Sequence, residues 1–140
     1  MNWQKKNFSI SSEKNRVDID ALHAMLRQSY WAGDRTREEV EQTVSNSICF
    51  SLYNDEDQIG FARVLTDEVA YAVILDMIIR EDFRGQGLGT WLMECMLEHP
   101  EISGLRQVLW TSDADDFYRK LGFQEMSSLK FMARSWKMPT

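Results

Sequence analysis

Two hydrophobic periods alternate along the chain. Phe8–Ser11 alternates weakly and predicts a first strand. Leu22, Met25 and Leu26 fall at i, i+3 and i+4, with Asp18 placed to cap the helix they imply. Residues 30–34, Tyr-Trp-Ala-Gly-Asp, break that helix. Thr36 and Glu39 have the spacing of a capping box and open a second helix carrying Val40 and Val44. From residue 48 the pattern turns extended: strands over 48–53 and 58–65 flank the polar turn Asn-Asp-Glu-Asp, as in a hairpin. Tyr71–Ile79 is apolar on both faces and predicts a central strand. Leu88, Trp91, Leu92, Cys95 and Met96 form a helical stripe that stops before Pro100. A short strand follows over 107–111. Ala114, Phe117, Tyr118 and Leu121 mark a last helix, which Gly122 ends. One or two closing strands are expected over 123–136. The order β-α-α-β-β-β-α-β-α-β belongs to an α+β or α/β fold with a mixed sheet.

The chain has 140 residues, enough for one domain over 1–140 at the usual size of roughly 100–200 residues. Sixteen Lys and Arg against 22 Asp and Glu give a net charge of −6, which repels nucleic-acid phosphates and anionic lipid. No nucleic acid or membrane partner is expected. The longest apolar run, 69–75, is far short of the ~20 residues of a span, and the N-terminal stretch lacks the apolar core of a secretory signal. A cytoplasmic location is the expectation. Cys49 and Cys95 read as buried thiols, and two scattered His with two Cys make no structural zinc site, so no metal is expected.

The chemistry concentrates in Asp76-Met-Ile-Ile-Arg-Glu-Asp-Phe-Arg84-Gly-Gln-Gly-Leu-Gly89-Thr90. A buried strand runs into three alternate glycines and then a helix. Unpaired N–H groups and the helix dipole attract phosphate there, glycines allow close approach, and Arg84 adds charge. The dinucleotide pattern G-x-G-x-x-G fails by one residue and stands too late in the chain. The P-loop fails for want of its Lys. The pattern R/Q-x-x-G-x-G/A after a strand is met by Arg84-Gly-Gln-Gly87-Leu-Gly89.

That pattern resembles the acetyl-CoA motif of the GNAT superfamily of N-acetyltransferases. Asp76 to Ile79 is similar to the strand that precedes it, and Ala114-Asp-Asp-Phe117-Tyr118-Arg-Lys-Leu-Gly122-Phe123 is similar to the family's later signature, with Tyr118 standing 29 residues after Gly89. The likeness extends over about 5–136 and is strongest over 71–123. It implies a three-layer α/β/α fold of the α+β class, with a mixed, mostly antiparallel sheet of about six to seven strands and about four helices.

The resemblance also implies roles. Acetyl-CoA is the cosubstrate. Its pantetheine arm would pair with Met77, Ile78 and Ile79. Its pyrophosphate would meet the backbone of Arg84, Gly85, Gln86, Gly87, Leu88 and Gly89, with Thr90 in the first helical turn. Thr111 stands where many members carry a cofactor-binding Asn. A primary amine of a small molecule would attack the thioester directly, with Tyr118 protonating the leaving thiolate. A phenol of ordinary pKa near 10 holds its proton at pH 7. The alternatives are an acceptor on a protein N-terminus or lysine, or a silent acetyl-CoA-binding module. A homodimer is compatible with the family.

Three assignments stay open at this stage. Tyr118 is the general acid or a core residue of its stripe. Asp76, a carboxylate in an apolar strand, is a base or amine ligand, or is paired with an Arg. Trp31 and Asp34 belong to an acceptor-binding lid or to a simple helix–helix connection. Asp34, Glu38, Glu39 and Asp76 together favour a cationic acceptor.

Overall fold

Short turns join most successive strands, so neighbours in sequence become neighbours in space. In the computed structural model, which describes residues 1–136, these are β1 (Asn2–Lys5), β2 (Phe8–Ser11), β3 (Ile48–Asn54), β4 (Asp57–Thr66), β5 (Tyr71–Ile79) and β6 (Arg106–Val108). The sheet order is β1-β2-β3-β4-β5-β6; every pair is antiparallel except β5 with β6. The helices are α1 (Ile19–Leu26), α2 (Arg37–Ser45), α3 (Leu88–Glu98) and α4 (Asp115–Arg119). The chain forms two units, Met1–Trp110 and Thr111–Thr140.

Within the first unit the helices cover both faces of the sheet. Successive strand residues point to opposite faces. Cys49 packs with Leu22, Leu26, Val40, Val44, Phe61 and Ile78 beneath α1 and α2. Phe50 points the other way and meets the His99 ring, at the end of α3, edge-on at 5.4 Å. Asp18 accepts from the Ala21 N–H and caps α1. Thr36 and Glu39 exchange both bonds of the capping box at α2. Both cysteines are free and buried, and burial pushes each thiol up to about 11.

Three expectations need correction. A strand, β1, precedes the expected first one; its only large apolar residue is Trp3, so no alternation announced it. The strand expected over 107–111 shortens to Arg106–Val108. Residues 123–136 form turns and irregular backbone rather than closing strands. Met126, Leu129, Phe131 and Met132 are each more than 60% exposed, so these apolar residues do not form the buried face of a strand.

Candidate active site

The Gly-rich turn holds a row of free donors. Gly85 and Gly87 have φ of +83° and +84°, which L side chains rarely adopt, and a Cβ at either would meet no atom within 4 Å. Gly87 is the N-cap of α3 and has no side chain to satisfy the helix end. The first helical bond runs from the Trp91 N–H to the Gly87 carbonyl. Among the described residues, the N–H groups of residues 85–90 have no hydrogen-bond partner. Six consecutive donors beside open space fit an anionic phosphate group. The expected row loses one member: the Arg84 N–H bonds the Glu81 carbonyl at 3.3 Å. The Arg84 side chain instead ties the turn to the strand, its Nε donating to the Ile79 carbonyl at 2.8 Å.

β5 leads into this turn with one edge open. Its pairing with β6 covers only Tyr71–Val73, so Met77, Ile78 and Ile79 lie beyond the last paired residue on that side. A cleft of about 150 Å³ opens between α1 and the end of β5, with Met25, Gln28, Ile78, Ile79 and Arg84 in its wall.

On its other side β5 carries a bulge against β4. Phe61 pairs with Ile78 and Arg63 with Leu75, so Asp76 and Met77 together oppose Ala62. Asp76 sits at φ +53°, a region that Asp tolerates better than most residues. Its buried carboxylate is fully engaged. Oδ2 accepts from Arg35 Nη1 at 2.5 Å and from Arg63 Nε at 2.6 Å, and Oδ1 accepts from the Trp31 indole at 3.2 Å. Burial alone would raise this carboxyl, but the Arg35 hydrogen bond and the two guanidinium charges outweigh it, and the net effect holds it below the usual carboxylate range. An ion-paired group of that kind is a poor proton acceptor near pH 7. Of the alternatives left open for Asp76, the geometry favours the arginine-paired one.

The segment between α1 and α2 is packed in place. Ala32 is fully buried. Ser29 Oγ donates to the Leu26 carbonyl at 2.7 Å and accepts the Ala32 N–H at 3.1 Å. His23 Nε2 donates to the Arg35 carbonyl at 3.0 Å. Tyr30 and Trp31 make an edge-to-face pair at 5.1 Å and stay 50% and 42% exposed. Asp34 is exposed. The acidic rim expected here is reduced: Asp76 is neutralised, and Glu39 spends an oxygen on the Thr36 N–H at 2.9 Å.

In the second unit, Tyr118 lies half-buried on α4 between Phe117 and Phe123, with ring centroids at 5.0 and 5.9 Å. Gly122 has φ +97°, and the Phe123 N–H returns to the Tyr118 carbonyl, which ends the helix as expected. Thr111 Oγ1 accepts from the Ala114 N–H at 3.1 Å, so its side chain is engaged in starting α4. Among the described residues, no group of three or more His, Cys, Asp or Glu is arranged to hold a metal.

Arg35 and Arg63 were not singled out in the sequence. The available signal was Arg63 itself, the lone charge between Ile59 and Leu65 in an apolar strand, which like Asp76 required a partner.

The acetyltransferase (GNAT) domain matches residues 45–125. The chain is 34% identical over 124 residues to the chloroplastic GCN5-related N-acetyltransferase 1 of Arabidopsis thaliana, covering 86% of this chain and 63% of that one. It is 26% identical over 117 residues to an acetyltransferase of Gibberella zeae, covering 69% and 66%. It thus spans about two thirds of the length of these curated relatives. A GNAT-family structure from Xanthomonas campestris pv. campestris superposes with a TM-score of 0.86 at 32% identity, over 97% of this chain and 96% of that one. A GNAT acetyltransferase from Elizabethkingia anophelis, solved with acetyl-CoA bound, shares the fold with a TM-score of 0.67 at 18% identity, over 88% and 80%. With a domain match across more than half its length and a sheet that superposes on a GNAT structure almost end to end, this chain belongs to the GNAT acetyltransferase family.

Proposed function

We propose that this protein transfers an acetyl group from acetyl-CoA to a primary amine of a small molecule. The observation that carries the reading is the row of unpartnered N–H groups at residues 85–90, beside two glycines that leave the approach open. Acetyl-CoA, when bound, supplies the activated acyl carbon. The turn holds its pyrophosphate, with no side chain in the way. The open edge of β5 at Met77, Ile78 and Ile79 pairs with the amides of its arm. The acceptor approaches over the Trp31 loop. As the uncharged amine nitrogen bonds to the acyl carbon, the C–S bond breaks and the Tyr118 phenol gives its proton to the departing sulfur; the proton shed by the nitrogen passes through water and restores the phenol. Asp76 stays ionised and holds the Trp31 loop in place rather than taking the amine's proton.

The test is free-thiol release from acetyl-CoA with a panel of amines, alongside calorimetric titration of acetyl-CoA. Amine-dependent thiol release with an N-acetylated product is the expected result. Tight acetyl-CoA binding with no turnover on any amine would instead mark a silent binding module.

A further inference from the structure

We propose that the acceptor amine also carries an anionic oxygen group, a carboxylate or a phosphate, and that Arg35 binds it. This rests on the reading that the Trp31 loop faces the acceptor.

The charges around Asp76 do not balance. One carboxylate serves two guanidiniums, both on the same oxygen. Arg63 is committed: its side chain is 8% exposed, its Nε goes to Asp76, and its Nη1 donates to Ser47 Oγ at 3.2 Å. Arg35 is not. Its side chain is 24% exposed, and only Nη1 is spent. Its Nε and Nη2 have no partner among the described residues. Among the described residues, Asp76 is the acid that Arg35 pairs with, and the neighbouring Asp34 makes no ion pair with it.

A partly exposed guanidinium fork with spare donors suits a planar carboxylate or a phosphate. Tyr30 and Trp31 supply an exposed aromatic wall beside it. Trp31 shares Asp76 with Arg35, so wall and charge are held by one anchor. Met77, the next residue after Asp76, begins the part of β5 assigned to the cofactor arm. An acceptor pinned by its anionic end at Arg35 can therefore extend its amine toward that strand. A purely cationic amine meets a net positive cluster there, whatever the charge of the whole chain.

The experiment compares kcat/KM for matched amines: an amino acid against its amide, and an amino sugar phosphate against the free amino sugar. We expect the anionic member of at least one pair to be favoured by about tenfold or more, chiefly through KM; which pair responds identifies the oxyanion. Arg35→Lys keeps a cation for Asp76 but loses the fork, and should cut that preference to about twofold or less while acetyl-CoA affinity holds. Neutral members used equally well or better would overturn the inference. A second measurement is independent of turnover. The CoA-saturated protein is titrated with acetate and with inorganic phosphate while the Trp31 indole N–H resonance is followed, assigned by its loss in Trp31→Phe. A saturable shift that Arg35→Lys abolishes supports the site; no saturable shift with either anion overturns it even if no amine is acetylated. A shift without any turnover counts against the acetyl-transfer reading alone.

Discussion

The Trp31 indole N–H reaches 3.2 Å across to Asp76 Oδ1, tying an exposed loop residue to the one β5 residue with positive φ. The loop is therefore hydrogen-bonded to the strand bulge through a single carboxylate. The same carboxylate takes both arginines on its other oxygen, so its removal should be felt at the loop and in the core together.

Asp76→Asn leaves two cations without their anion. Removing one partner of a buried pair costs about 3–5 kcal/mol, and that loss is expected at pH 7 in urea unfolding. The sign of its pH dependence follows from the lowered carboxyl. A group held below its ordinary value, near 3.9, contributes its stabilisation above that pH and loses it as the pH falls through the lowered value. The gap between wild type and Asp76→Asn should therefore shrink on acidification below about pH 4. A gap equally wide in strong acid would contradict the assignment.

Gly33→Ala tests how firmly the loop is seated. A Cβ at Gly33 would lie 2.8 Å from the Ser29 carbonyl oxygen and 3.2 Å from that of Arg27, both backbone atoms. The loop must shift, at a cost of roughly 1–3 kcal/mol. Expected in kinetics is a raised KM for the acceptor with the Kd for acetyl-CoA unchanged. Equal changes in both would mean that the loop does not serve the acceptor alone.

Gly87→Val tests the phosphate cradle. A residue with Cβ at φ +84° costs about 1–2 kcal/mol in strain, and the isopropyl group would project into the open approach. The Kd for acetyl-CoA should rise by about 100-fold or more, equivalent to ~2.7 kcal/mol. Gly87→Ala, with the same strain and less bulk, should fall between. Gly104, whose Cβ would also meet open space but without positive φ, is the control: Gly104→Ala should bind normally. Unchanged affinity in Gly87→Val would move the phosphate site elsewhere.

Where local rules act alone, the sequence was enough. Asp18, the Thr36–Glu39 box and Gly122 terminate their helices as their spacing required, because a cap is a contact within one turn. The Gly-rich turn was legible for the same reason. The fate of Asp76 was not. Its partners come from β4 and from the α1–α2 loop, 13 and 41 residues away, and the bulge that aims the carboxylate depends on strand register. Burial cost alone called for a partner without saying which. The apolar residues of 123–136 misled in the opposite way: they had the composition of strands, yet Met132 is 87% exposed and no ladder includes them.

Tyr118→Phe separates chemistry from packing. The change removes one hydroxyl and leaves the ring that meets Phe117 and Phe123 at 5.0 and 5.9 Å. Those edge contacts depend on ring faces and edges rather than on the oxygen, so the fold of α4 should survive. Acetyl-CoA affinity should also survive, since the pyrophosphate donors lie in the Gly-rich turn. The thiolate, however, would leave without a positioned proton. General acids typically contribute about 10²–10⁴-fold, and kcat should fall within that range. The effect should be smaller for an acyl donor whose thiol leaves easily as an anion, because such a group needs its proton less. A drop in kcat that is equally large for easy and difficult leaving groups would point to a binding or packing role. An unchanged kcat on a working acceptor would show that the phenol takes no part in the reaction.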